Sequence, residues 1–554
     1  MTPTTAARAP ELPAHATDVP AAPPQLAGDA EKQHRDEEEH NDEDDFEASP
    51  AHPRNWPASQ RWTNCLVLAL TGLLSTSGSS IFVPASSLVR DEYGVSQEIA
   101  TLTTALFVLG LGAGPFFFAP ISELYGRRPA YVLSMVGYVG MNLGCCFVKS
   151  LAGLIVLRFL AGFFGSSGPG LGVASVGDLF QPKERGRPVA IYAIGPMLGP
   201  VLGSIIGHYL VLPGLGTFRW PFRLMTILSG LNTLLIFFVV RESYAPVCER
   251  QWHAQRAAEE AGEGGLAKEE RKMRAEKPSR AQAKEVVVRT FKRPPRMLLN
   301  PICALMSTCT TTPTSTQVSA ASSSLPFAFA SFAGSSCSLD LLFRLSSSLA
   351  QSMIYVFLVS FPLLYSRQDP PSGIFSYNWP ESTSGLCYLG LGVGFLSAAA
   401  TASTFADRIY KGLAKRYGNA GEPEYRLVLT QIGMLVFPLG LVIWAWTAQA
   451  ETHWTGPVIG SAIFAFGLML AFNSIQTWLV DAYSPYSAAA VAAATLLRSL
   501  TGTILPIFAP RLFVNLGYGW GGTLLALVTI PAVPVPILLF LVGGRLRERW
   551  KFRG

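Results

Sequence analysis

The chain alternates long apolar runs with short polar breaks. Runs near 65–86, 101–121, 130–148, 152–177, 188–210 and 221–240 are followed by a second set near 349–366, 384–405, 426–446, 456–478, 487–509 and 519–543. A helix needs about 20 apolar residues to cross the hydrocarbon of a bilayer, and each run is close to that length. The pattern predicts an all-α polytopic membrane protein of twelve transmembrane helices in two pseudosymmetric six-helix bundles. Its expected organisation is a disordered acidic tail (1–62), a first bundle (63–240), a central loop (241–300), a Ser/Thr-rich anomalous insert (301–348), a second bundle (349–545) and a short tail (546–554).

The polar breaks set an orientation, because Lys and Arg gather in cytoplasmic loops. One side receives Arg127 and Arg128, Lys183, Arg185 and Arg187, the central loop, Arg408, Lys411, Lys415 and Arg416, and the basic residues from Arg545 to Arg553. The opposite loops offer little beyond Arg90, Lys149, Arg219, Arg367 and Arg511. Both termini are therefore expected in the cytoplasm of a multi-pass plasma-membrane protein, with a vacuolar or vesicular membrane as the alternative. Trp62, Trp220, Trp379, Trp454 and Trp520 flank spans as interfacial anchors would. The central loop mixes signs, as in Lys268-Glu269-Glu270-Arg271-Lys272. It reads as a surface helix or tether. A polybasic lipid switch is the competing reading, weakened by the interleaved glutamates.

Composition sharpens the class. Charged residues make up 14% of the chain and hydrophobic ones 49%, whereas soluble domains carry about 25% charge. The net charge of +6 does not call for nucleic acid, because the excess basic residues flank spans. The eight cysteines show no CxxC spacing, so free thiols are expected, with no metal site and no cofactor. The first sixty residues are Pro/Ala-rich and then acidic, which reads as a disordered tail with the first span as an uncleaved targeting signal.

Three sites carry chemistry. After the second span comes Ala119-Pro120-Ile121-Ser122-Glu123-Leu124-Tyr125-Gly126-Arg127-Arg128-Pro129. Gly126 permits a tight reversal. Glu123 with Arg127 and Arg128 forms a candidate conformational latch, the alternative being charges that only set topology. A counterpart, Asp407-Arg408 with Tyr410 and Lys411, follows the eighth span and supports two six-helix repeats. In the fourth span Arg158 lies inside an apolar run, which is costly and directs it to the bundle interior or a watery cavity; snorkelling to the interface is the alternative. The fifth span sets Gly195, Gly199, Gly203 and Gly207 at four-residue spacing with Pro196 and Pro200. Such glycines make one smooth face for close helix packing, and the prolines bend the helix.

Together these elements resemble the major facilitator superfamily over nearly all of 53–545 apart from the insert. The latch loop matches the family's signature between spans two and three, with Glu123 where many members have aspartate. Arg158 matches the arginine of the fourth-span motif, and Gly195–Gly207 is similar to the fifth-span motif of proton-exchanging exporters. Pro53-Arg54-Asn55-Trp56-Pro57, Arg241-Glu242-Ser243-Tyr244-Ala245-Pro246, Pro423-Glu424-Tyr425-Arg426-Leu427, Gln476-Thr477-Trp478-Leu479-Val480-Asp481 and Leu497-Arg498-Ser499-Leu500 resemble the fungal twelve-span drug:proton antiporters. The resemblance implies two bundles rocking around a central site, with protons as coupling ion, a small-molecule substrate and a monomer in the lipid bilayer.

Polar groups inside spans are the candidates for substrate binding and coupling: Arg158, Asp178, Tyr192, His208, Asn232, Asn473, Gln476 and Arg498. No acid lies deep in any span, so Asp178, near the end of span four, is paired with Arg158 as the candidate coupling site. The expected function is export of amphipathic organic molecules such as drugs, toxins or secondary metabolites. Polyamine, sugar or nutrient transport and a non-transporting sensor are the alternatives. No nucleophile–base cluster or HExxH motif supports an enzyme.

Residues Thr308–Ser348 break the pattern: nearly half are Ser or Thr, and they interrupt what begins as span seven at Asn300–Ser307 and resumes at Leu349. A helix in lipid cannot hold a long irregular loop. Two readings stand: translated non-coding sequence, or a genuine linker with a shortened seventh helix. The first predicts that the mature transcript lacks the codons of this segment, and a message continuous through it contradicts that reading.

Overall fold

A computed structural model describes residues 46–211, 217–256, 352–367, 373–418, 421–483 and 487–541. The acidic stretch before residue 46, the loop beyond 256, the Ser/Thr-rich insert and the C-terminal tail lie outside the described residues. The described chain is almost entirely helical, its one β-type pairing being a bridge between Ser366 and Trp379.

The helices are α1 (Ala58–Ser80), α2 (Ser86–Tyr93), α3 (Gln97–Ala113), α4 (Pro115–Tyr125), α5 (Arg127–Phe147), α6 (Leu151–Gly165), α7 (Ser167–Leu179), α8 (Gly186–Leu210) and α9 (Trp220–Val239). After the undescribed segment come α10 (Ser352–Tyr365), α11 (Leu389–Tyr417), α12 (Leu427–Gln449), α13 (Thr455–Ala482) and α14 (Ser487–Thr529). Local chemistry fixes several boundaries. Ser96 and Ser150 cap α3 and α6 by accepting from the backbone N–H groups of Ile99 and Gly153. Pro115 begins α4, where a missing N–H costs nothing.

Among the described residues nine stretches are long and apolar enough to span a bilayer. α3 with α4, and α6 with α7, each count as one such stretch. The last stretch, Ser487–Leu541, contains Gly517 with φ +75°, a break between two helical limbs. It falls between the runs at 487–509 and 519–543. α1 is long but rich in Ser, Thr and Gly, and α10 is short.

On several helices large apolar side chains face outward while small polar ones lie inside. Leu133, Val136 and Phe147 of α5 and Leu231, Leu234 and Phe238 of α9 are exposed. Thr71, Ser75, Ser79 and Ser80 of α1 are buried. Lipid accounts for this inversion, since apolar side chains gain nothing by leaving hydrocarbon and small residues let helices approach. In the first half α1 packs on α8, α3 on α6 and α5 on α9; in the second, α13 packs on both α11 and α12. The halves meet along α3 with α14 and along α8 with α11.

The α1–α8 contact uses the glycine–proline stripe. A methyl group on Gly195, Gly199, Gly203 or Gly207 would strike backbone atoms of α1, from Ala69 through Leu73 and Ser77 to Ile81. Ser77 Oγ donates to Gly199 O at 3.0 Å across this contact, and the ring of Pro196 sits against Gly72. At Gly195 the opposing atoms are all backbone and cannot rotate away. Gly195→Ala is therefore expected to destabilise the protein by ~1–3 kcal/mol, the range for overpacking. Gly140→Ala on α5, with nothing within 4 Å, is expected to be neutral or stabilising. Thermal unfolding of the two purified variants checks the contrast.

Candidate functional site

Charged side chains gather at the end of the bundle that carries the latch loop. Gly126 adopts φ +103°, a conformation that favours glycine. Its missing side chain leaves room for the Glu242 carboxylate. That carboxylate accepts from Arg127 N at 2.8 Å and Arg128 N at 3.1 Å, so it caps the first turn of α5 where the helix dipole favours an anion. The Arg127 side chain is buried, donating from Nε to Asp178 Oδ2 at 2.9 Å and from Nη1 to Ser122 Oγ at 2.7 Å. Glu123 is buried within electrostatic reach of Arg127. Arg128 points outward and donates to Phe237 O at 2.6 Å.

A second cluster ties the two halves together. Asp407 of α11 accepts from Gly186 N at 2.9 Å and Arg187 N at 3.1 Å, capping α8 of the other half. A Cβ at position 186 would collide with Asp407 and Arg426, so the close approach depends on glycine. Arg426 donates to Asp407 at 3.0 Å and to Asp481 at 3.3 Å. The other oxygen of Asp481 takes Arg185, and Arg426 also donates to Pro182 O. Arg185, Arg426 and Asp481 are each at least 94% buried. Two arginines and two aspartates thus balance in charge inside the contact, and the Arg426 guanidinium lies 4.2 Å above the Tyr410 ring.

The segment before α1 lies beneath this cluster. Residues Glu47, His52, Arg54 and Asn55 share a cavity of about 400 Å³ with Gln181, Pro182, Lys183, Tyr410 and Gly421. Burial, with Arg54 nearby, holds the His52 imidazole below its ordinary range.

The opposite end is open. A second cavity of about 400 Å³ lies between the halves, lined by Val83 and Pro84 after α1, Thr101 and Val108 of α3, His208 of α8, Tyr355 and Pro362 of α10, and Gly502 and Pro506 of α14, with Arg90 and Arg367 also lining it. His208 is buried in its wall, with Nδ1 2.7 Å from Ser204 O. Arg498, one turn below Gly502 on the same face of α14, is part-buried; it donates to Thr495 Oγ1 at 3.4 Å and lies 5.4 Å from the Phe472 ring centre.

Arg158 sits behind this cavity in the core of the first half. It is 1% exposed, donates from Nη1 to Gly78 O at 2.8 Å, and is ringed by Phe107, Phe82 and Phe222 at 4.4, 5.0 and 5.7 Å. Its Nε and Nη2 have no hydrogen-bond partner among the described residues. The buried position disagrees with snorkelling. Asp178 does not reach it: with 20 residues of helix between them, Asp178 lies at the latch end on Arg127, so the Arg158–Asp178 coupling pair is corrected. Tyr192 donates to Gly168 O at 2.5 Å and Asn232 to Thr71 Oγ1 at 3.0 Å. Asn473 is buried on α13 beside a small cavity shared with Arg426, nearer the charged cluster than the open one, and Gln476 is buried one turn on.

The structure also corrects the second-half latch. Arg408 is exposed and stands outside the cluster; Arg426, nineteen residues on, holds Asp407 instead. Glu242, Arg185, Arg426 and Asp481 were not identified as latch residues from sequence. Their signal was a charged residue at a span end, but their oppositely charged partners lie 19 to 296 residues away in sequence.

Comparison with known proteins agrees with this architecture. The family model described as Major Facilitator Superfamily matches residues 68–506. The MFS-type transporter penM of Penicillium rubens is 31% identical over 506 residues, covering 91% of this chain and 89% of that protein. The efflux pump radE of Floropilus chiversii is 30% identical over 509 residues, covering 91% and 84%. The solved structure of the proton:xylose symporter XylE covers 90% of this chain and all of that one, with TM-score 0.56 and 13% identity, a likeness of fold alone. With the model matching most of its length, the chain belongs to the major facilitator superfamily.

Proposed function

We propose that this membrane transporter is a proton-coupled exporter of small amphipathic organic molecules, working by alternating access. In this reading Ala58–Ser80 and Ser352–Tyr365 serve as spans one and seven and the break at Gly517 separates eleven from twelve. The count is then twelve crossings, in bundles at 63–240 and 349–545. The latch end and both termini face the cytoplasm, and the protein acts as a monomer in the plasma membrane.

One observation carries this reading. The ion cluster closes the halves at the latch end, while a cavity opens between them at the other. A closed end and an open end are what an outward-facing member of an alternating pair requires. Cargo released from such a cavity leaves the cell, and the name of radE as an efflux pump supports that direction. Arg158 contributes a fixed positive charge under aromatic faces in the first half, and charge buried in a span marks the transport path or its coupling.

Two outcomes test the proposal. Arg158→Ala should lower efflux at least tenfold while leaving membrane targeting intact, measured as accumulation of labelled candidate substrates in cells with and without the variant; normal efflux contradicts the role. Asp407→Ala removes the part-buried carboxylate that joins Arg426 to the start of α8 and should shift the population toward opening at the latch end. A cysteine placed at Ser474, behind the cluster, should then react at least tenfold faster with an impermeant maleimide added to inside-out vesicles. An unchanged rate contradicts the clamp.

A further inference from the structure

The open cavity has a charge character that narrows its ligand. Residues 498, 502, 506 and 510 recur at four-residue spacing and share one face of α14. Gly502, Pro506 and Pro510 line the cavity, and Arg498 lies one turn deeper along that face, below the lining residues. Tyr355, which lines the cavity from α10, interacts with Arg498. His208 forms part of the wall, and Arg367 is exposed among the lining residues. No carboxylate lines the cavity among the described residues. Arg90 does not alter this balance, because it is already tied to Asp91 at 3.0 Å.

Arg498 itself is poorly compensated. A guanidinium carries five N–H donors. Here its contacts are one hydroxyl at 3.4 Å and one ring face at 5.4 Å, with the neutral phenols of Tyr355 and Tyr192 nearby. No described carboxylate pairs with it, in contrast to Arg127, Arg185 and Arg426, which all hold aspartates. The clamp arginines are neutralised by the protein, and Arg498 is left for something else. A cation inside a span requires a partner, and where the fold does not provide one the ligand is the natural source.

We propose that the cavity takes an organic anion, an amphipathic molecule bearing a carboxylate or equivalent acidic group, with Arg498 as its counter-charge and Tyr355 and His208 beside it. This rests on the exporter reading above and names its substrate class. The apolar wall of Val83, Val108 and Pro506 accepts the hydrophobic body while the acid group reaches toward Arg498. An anion leaving as a proton enters moves two positive charges inward per turnover. An inside-negative potential would add to the drive, by about fifty-fold per 100 mV for each charge.

The test uses three probes with one ring system and different charge: 1-naphthylacetate, 1-naphthalenemethanol and 1-naphthylmethylammonium. Each is titrated against the purified full chain in neutral detergent, with thermal unfolding as readout. Naphthylacetate should raise the unfolding midpoint saturably, with a half-saturating concentration at least tenfold below the other two. Arg498→Gln should erase that preference and Arg498→Lys should retain most of it. Equal binding of the three, preference for the amine, no shift with any, or a preference that survives Arg498→Gln each overturns the assignment. If Arg498→Gln does not fold, the wild-type comparison alone still decides. Phosphatidylserine in a further arm separates a lipid headgroup from a free acid: a shift with the lipid and none with naphthylacetate overturns a cargo site. Labelling of the cysteine at Ser474 on the same preparation keeps the two claims apart. A latch end that opens without anion preference overturns the anion assignment only; one that never opens overturns the transport reading.

Discussion

The two halves of this protein are held at one end by four charges that satisfy one another inside the contact. Asp407 lies on the backbone N–H groups that begin α8, and Arg426 bridges it to Asp481, which also takes Arg185. Burying ions costs several kcal/mol each unless the partners are placed well. Their placement here depends on Gly186, whose absent side chain lets the aspartate approach. The arrangement suits a switch better than a weld, because charges that separate can be re-solvated by water. A hydrophobic contact of equal area would have no comparable released state.

Rigid parts surround this releasable one. The glycine–proline stripe of α8 presses on α1 with backbone against backbone. The capped turn at Gly126 joins α5 to Glu242 at the end of the first half. These contacts lie within one half, whereas the charged cluster lies between the halves. The open cavity lies at the other end, where the walls are largely small and apolar.

Much of this was legible in the sequence, and the reason differs by feature. Hydrocarbon-length runs announced helices, because lipid forces every backbone group to pair within its own segment. The stripe at Gly195–Gly207 announced close packing, because spacing alone puts those residues on one face. The latch loop was legible as a charged reversal, but not its wiring. Asp178 was assigned to Arg158 because both lie on the fourth span, yet a helix keeps residues twenty apart at opposite ends. Arg408 is grouped with Asp407 in the second-half latch motif because they adjoin, yet neighbours on a helix point in different directions. The true partners, Arg127 for Asp178 and Arg426 for Asp407, come from other spans, and only the fold brings them together.

The central claim is that the two ends of the molecule open in alternation. Spin labels at Lys183 and Lys411, both exposed and on opposite halves at the latch end, and in a second preparation at Glu92 and Thr383 at the other end, report both separations by pulsed electron resonance. Alternating access predicts that conditions lengthening the first distance shorten the second. Two distances that stay fixed, or that lengthen together, would contradict it.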